Sequence, residues 1–204
     1  MIRFHTFGDS HASEIMSHWG KIKNVKIIPH AIGGKLAYTF GSKCFEVVNI
    51  KNHGVQEGDY VCFCFGETDC RCHVHKHTTE TRPYKDVVEE IANLYVSAIK
   101  RNVEQFKNVK TVIYNIVPPV RFIKTNSSHP FPYLGTDDER KVYYSYMNKI
   151  LKEKCLENGY QFLDIYDKYL DEDGFLDKKY SDGNCHIIDP IFVNEWLKNN
   201  LLNK

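Results

Sequence analysis

Apolar positions along this chain follow two periods in alternation. Short β-prone runs cover Ile2 to Phe7, Val25 to Ile32, Asp59 to Phe65, Val109 to Val117 and Tyr160 to Ile165. Longer stretches between them carry helical spacing. Asp59 to Phe65 is dense in Val, Cys and Phe without a polar alternation, which predicts a strand covered on both faces. Pro83 to Phe106 places Val87, Ile91, Leu94, Ala98 and Ile99 on one stripe, and Pro83 suits a first helical turn. Asp137 to Glu157 predicts a second long helix, with Val142, Tyr146, Ile150 and Leu151 on its buried face. Ala12 to Trp19 and Asp189 to Leu202 read as shorter helices. The least regular segment is Leu36 to Gly58, within which Phe45 to Ile50 reads as a strand or hairpin arm.

Strands alternating with helices imply a largely parallel sheet, and right-handed crossovers place helices on both of its faces. The expected fold is therefore α/β: a flavodoxin-like three-layer α/β/α sandwich around a mostly parallel five-stranded sheet. With 204 residues, 42% of them hydrophobic, the chain suits one domain spanning 1–204. Residues 120–136 are too long and polar for a simple connection and read as a lid or binding loop.

Charge narrows the partners. The formal net charge is +1, from 27 basic and 26 acidic side chains, so no basic field calls for nucleic acid. No stretch approaches the roughly 18 apolar residues of a membrane helix. Met1 runs directly into a strand, leaving no room for a signal peptide. Seven cysteines without an export signal then predict reduced thiols and a cytoplasmic protein.

Candidate chemistry begins at Ser10, in Phe7-Gly8-Asp9-Ser10-His11, between the first strand and the first helix. Open α/β sheets bind their ligands at this edge. Gly33-Gly34 follows the second strand, Gly66-Glu67-Thr68-Asp69 follows the third, and Asp182-Gly183-Asn184-Cys185-His186 precedes the last helix, so all should gather there. Serine attack needs a base, an acid to orient it, and donors for the oxyanion. Ser10, His186 and Asp182 could supply the first three, and glycine N–H groups some of the donors. Each also has a simpler reading. Ser10 could cap a helix, His186 could bond a backbone carbonyl, and Asp182-Gly183 could be a turn pair.

Together these blocks resemble the SGNH or GDSL hydrolases, in order and spacing from Phe7 to His186. The resemblance implies esterase or acyl-hydrolase chemistry on a flavodoxin-like fold. It implies Ser10 as nucleophile, His186 as base and a nearby aspartate as orienting acid. The oxyanion hole would combine the Ser10 N–H, a glycine N–H (Gly33 or Gly34) and an asparagine side chain. Two positions depart from the pattern. Thr68 stands where the family has asparagine, leaving Arg71 or a backbone N–H to compensate. Asp182 precedes His186 by four residues where the family has three. Either the loop carries one extra residue, or Asp182 only forms a turn and another acid orients the ring.

Gly66-Glu67-Thr68-Asp69-Cys70-Arg71 further resembles a variant block of SGNH-like proteins associated with glycan synthesis, which implies a carbohydrate ester. Glu67, Asp69 and Arg71 read either as a structural ion-pair knot or as binders of a polar substrate. A rival is a metal site, because Cys62, Cys64, Cys70, Cys72, His73, His75 and His77 crowd together in a stretch whose histidines look loop-like. Both cysteine pairs are Cys-x-Cys, however, unlike the usual spacing of structural zinc sites, which favours buried thiols. The expectation is thus a serine esterase or acyltransferase acting on a small-molecule or glycan ester, with no metal or organic cofactor required. A binding module that has lost efficient catalysis is the alternative. A flavodoxin-like nucleotide or flavin carrier fits only the strand–helix order and lacks a phosphate loop.

Overall fold

The computed structural model describes residues 1–14, 22–125 and 129–202. Five strands, β1 (Ile2–Gly8), β2 (Val25–Ala31), β3 (Tyr60–Cys64), β4 (Lys110–Tyr114) and β5 (Gln161–Leu163), pair in the order β2-β1-β3-β4-β5. Every pairing is parallel. The helices are α1 (Ser10–Glu14), α2 (Ala37–Lys43), α3 (Val74–His77), α4 (Tyr84–Val103), α5 (Asp137–Asn158) and α6 (Ile191–Leu197). Beyond Glu14, the helix expected to run to Trp19 lies outside the described residues.

Strand periodicity sorts side chains into two cores. Val61, Phe63 and Phe65 point with Phe7 and Ile113 toward α2, α4 and α5, where Phe40, Ile91, Tyr95, Tyr144 and Met147 are buried. Tyr60, Cys62 and Cys64 point the other way with Phe4, Val112 and Tyr114, against Ala12 of α1 and Val193, Leu197 and Leu201 at the C-terminal end. Two helical layers on a parallel sheet make the α/β/α sandwich. Layer packing is tight: a Cβ on Gly41 of α2 would lie 2.7 Å from the Leu94 backbone of α4. No helix among the described residues is long and apolar enough to cross a membrane.

Three local expectations are corrected. Phe45 to Ile50 is not a strand; 3-10 turns occupy Cys44–Glu46 and Ile50–His53. Asn102 of α4 accepts from Ile50 N (3.1 Å) and Asn49 accepts from Lys51 N (3.3 Å), which bends the chain and drops Val48 and Ile50 into the core. On α5 the buried face is rotated, with Tyr143, Tyr144, Met147, Leu151 and Cys155 inside and Val142 45% exposed. Polar anchors choose that face: Tyr144 donates to Glu67 (2.8 Å), and Asn148 accepts from Ile116 N (2.7 Å) and donates to its carbonyl (2.9 Å). The histidine-rich stretch is helical rather than loop-like, a π-turn over Asp69–His73 continuing into α3.

Where β1 meets β2, His5 Nδ1 lies 2.9 Å from His30 Nε2, with the rings stacked. Burial, and then the neighbouring His53 and His5, pull His30 from 6.5 down to about 4; burial also lowers His5. Unfolded histidine titrates near 6.5, so between there and about 4 the unfolded chain binds protons that His30 refuses. Stability should therefore fall as pH drops through that window. Relative to His30→Gln, which lacks this titration, the wild type should lose stability in thermal melts as pH falls from 6.5 to about 4. Parallel pH profiles would show that His30 is not held neutral.

Candidate active site

β1 ends at Gly8 because nothing larger fits: a Cβ there would sit 2.1 Å from the Cys64 carbonyl oxygen of β3. Asp9 N donates to that same oxygen (3.3 Å) and Ile32 N donates to Gly8 O (2.6 Å). The Asp9-Ser10-His11 corner is thus pinned between β2 and β3 at the carboxyl edge of the sheet. Across it stands a small loop before α6, closed by the Ser181–Ile187 bridge and by Asp182 N donating to His186 O (3.1 Å). His186 Nε2 lies 2.9 Å from Ser10 Oγ, and its Nδ1 lies 2.9 Å from Asp182 Oδ2. Asp182 Oδ1 accepts from Asn184 N (2.7 Å) and His186 N (3.4 Å). The four-residue spacing therefore still brings Asp182 to the ring.

Ser10 and His186 open onto a cleft of about 550 Å³, whose lining also includes Gly33, Gly34, Thr68 and Arg71. Ile123, Phe131 and Tyr133 of the long loop wall it, while residues 126–128 of that loop lie outside the described residues. A larger hollow of about 650 Å³ occupies the opposite edge of the sheet, among Lys100, Lys107, Lys110 and Glu157, away from all these groups.

Other expected site residues stand behind the cleft wall. Gly66 turns the chain at φ +125, its Cα so near Ile116 that a Cβ would lie 2.3 Å from that side chain. Glu67 is buried, accepting from Tyr144 and pairing with Arg71 (3.1 Å). Asp69 is wholly buried and accepts from Ala37 N (2.7 Å) and Tyr38 N (3.0 Å), fastening the start of α2. Burial pushes its pKa up to about 7 against the pull of those two N–H groups. Glu67 and Asp69 are therefore framework rather than wall. Arg71 does reach the cleft, braced by Glu67 and lying over the Tyr133 ring at 5.1 Å, and it donates to Thr68 Oγ1 (3.4 Å).

Sequence reading passed over a second imidazole. His11 Nδ1 lies 2.8 Å from Asp9 Oδ1 and its Nε2 lies 3.0 Å from the Cys185 carbonyl, all three residues being buried. Burial alone would lower its pKa, but Asp9 outweighs that and holds it well above 6.5. Burial and Glu67 push the Cys185 thiol up, yet hydrogen bonds from His11 and His186 prevail and bring it below its ordinary value. Reciprocally, Cys185 first, with help from Asp182, holds His186 up at about 9 against burial. The available signal was adjacency, since His11 follows Ser10 and Cys185 precedes His186 in the same two motifs. The other cysteines diverge. Cys62 and Cys64 face the α6 core, Cys70 points at the Tyr143 carbonyl, Cys72 at the Thr68 carbonyl, and the His73 ring lies tilted against Tyr38.

No family model matches the chain, and no curated protein matches it. Solved structures do. A member of the lipolytic protein G-D-S-L family from Veillonella parvula superposes with a TM-score of 0.66 at 13% identity, over 100% of both chains. A GDSL-like lipase from Bacteroides thetaiotaomicron gives 0.64 at 16% identity, over 98% of this chain and 88% of its own. A catalytic mutant of an acetylxylan esterase from Geobacillus stearothermophilus gives 0.61 at 11% identity, over 97% of this chain and 93% of its own. At such identities the likeness is one of architecture, and the chain has the α/β/α fold of the GDSL-type lipolytic hydrolases.

Proposed function

We propose that this protein is a serine esterase or acyltransferase acting on a small acyl ester, with an O-acyl group on a sugar as its preferred substrate class. The observation that carries the reading is the aligned pair of contacts at His186, to Ser10 on one nitrogen and Asp182 on the other, each 2.9 Å long. Ser10 Oγ attacks the acyl carbon while its proton passes to His186 Nε2, and Asp182 stabilises the imidazolium from Nδ1. The tetrahedral intermediate collapses as His186 returns that proton to the leaving alkoxide. Water or an acceptor hydroxyl then attacks the acyl-enzyme through the same base. Only neutral imidazole can take the serine proton, so kcat/KM climbs with pH toward the raised pKa of His186.

Oxyanion donors come from the Ser10 N–H, the Gly33 or Gly34 N–H, and Thr68. The threonine substitution has a physical rationale. Arg71 donates to Thr68 Oγ1, so the hydroxyl can direct its own hydrogen into the cleft and act as the donor an amide would supply. A polar-aromatic wall of Thr125, His129, Asn184, Phe131 and Tyr133 suits a sugar better than an acyl chain. The acetylxylan esterase among the fold's relatives supports the same class. Seven buried, unpaired thiols suit work in the cytosol.

Ser10→Ala should abolish hydrolysis of an aryl acetate and labelling by a fluorophosphonate, with the circular dichroism unchanged. Asp182→Asn should lower kcat by roughly 10²–10⁴ through loss of the orienting carboxylate. Undiminished turnover in Ser10→Ala would remove the proposal, and saturable glycan binding by a wild type without turnover would assign the chain to a binding module.

Thr68→Val, which keeps shape but removes the hydroxyl, should reduce kcat by about 10²-fold with KM little changed, whereas Thr68→Ser should retain most activity. Steady-state kinetics decide this, and an unaffected kcat in Thr68→Val would exclude the hydroxyl as donor.

A further inference from the structure

We propose that the cleft contains a zinc site formed by His11, Cys185 and His186. Ligand atoms of these three side chains all lie within 4.8 Å of one another. Tetrahedral zinc, with bonds of about 2.0–2.3 Å to nitrogen and sulfur, spaces its ligands by about 3.3–3.8 Å, so closing by about an ångström would seat it. Two imidazoles and a thiolate form a donor set suited to zinc rather than to magnesium or calcium, which prefer oxygen.

The surroundings match what zinc-bound histidines need. Each ring is held at Nδ1 by a carboxylate, Asp9 at 2.8 Å for His11 and Asp182 at 2.9 Å for His186. Such partners fix the tautomer that presents Nε2 to a metal and raise its basicity. Nε2 of His11 would give up the Cys185 carbonyl, and Nε2 of His186 would give up the Ser10 hydroxyl. Asp9 adds an independent sign. It is 5% exposed and its Oδ2 is buried with no hydrogen-bond partner, so its charge, met by protonated His11 without metal, would be met by the dication once zinc displaces that proton. Cys185 and His186 border the cleft, so solvent reaches the position and can supply the fourth ligand. Zinc binding releases to solvent the thiol proton of Cys185 and the protons that His11 and His186 carry at Nε2, and it involves no redox change.

Occupancy removes His186 from Ser10, so zinc should act as a reversible inhibitor; that consequence alone rests on the esterase reading. The test uses full-length protein freed of metal with EDTA and titrated with zinc by calorimetry and with cobalt(II) by absorption. One equivalent should bind, and cobalt should show a near-ultraviolet thiolate charge-transfer band together with tetrahedral visible bands. Cys185→Ser should lose the charge-transfer band, and its zinc affinity should fall at least tenfold. Asp9→Asn should lower affinity by roughly 10–100-fold, as loss of an outer-sphere carboxylate does. Absence of stoichiometric binding would overturn the site, as would a charge-transfer band that survives in Cys185→Ser or an affinity indifferent to both variants. Wild-type ester turnover with no cobalt band refutes the zinc site alone. A cobalt band lost in Cys185→Ser, in a protein without turnover, upholds the site and refutes the esterase reading.

Discussion

A single methyl group at position 8 would strike the Cys64 carbonyl, and the rest of the cleft depends on that space being empty. Parallel strands all present their carboxyl ends at one edge, but β1 is flanked on both sides, by β2 and β3. Its exit must turn within a crowded notch, and glycine is the residue that leaves room for Asp9 N to reach the β3 carbonyl. Once that corner is set, Ser10 faces the loop before α6 and His11 faces inward. The 176-residue separation of Ser10 and His186 is spanned by one 2.9 Å hydrogen bond because both belong to the same edge.

Buried polarity organises the second layer. The wall of the cleft is carried by groups that never touch it: Glu67 braces Arg71, Tyr144 of α5 holds Glu67, and Asp69 ties α2 to the turn after β3. Each of these acids is satisfied by a specific donor, as burial of a carboxylate requires. Removing one would strand a charge as well as a contact. The knot therefore couples α5 and α2 to the turn that carries Arg71 and, through Arg71, to the Thr68 hydroxyl. The two imidazoles beside Cys185 obey the same rule, each with its own aspartate.

Much of the architecture was legible in one dimension. All the strands lie where short β-prone runs occur, because a strand covered by helices must be apolar on both faces. The long helices α4 and α5 lie where the helical spacing occurs. What escaped was decided by partners distant in sequence. Phe45 to Ile50 looks like a strand, but Asn102 captures its backbone and bends it. Val142 fits the apolar stripe of α5 yet is outside, because Tyr144 and Asn148 find polar partners on the neighbouring face. His11 and Cys185 look incidental beside Ser10 and His186 until the fold brings them into one cluster.

By itself, then, the chain's pattern determined the alternation of strand and helix, the parallel sheet, and the edge at which four short motifs meet. These follow from local periodicity and from chirality, which need no knowledge of distant contacts. Tertiary structure alone decided which acid bonds His186, which charges line the cleft and which support it from behind, and that a thiol gathers with two histidines. Those outcomes depend on ångström-scale distances between residues far apart in the chain, and no spacing along one motif encodes them.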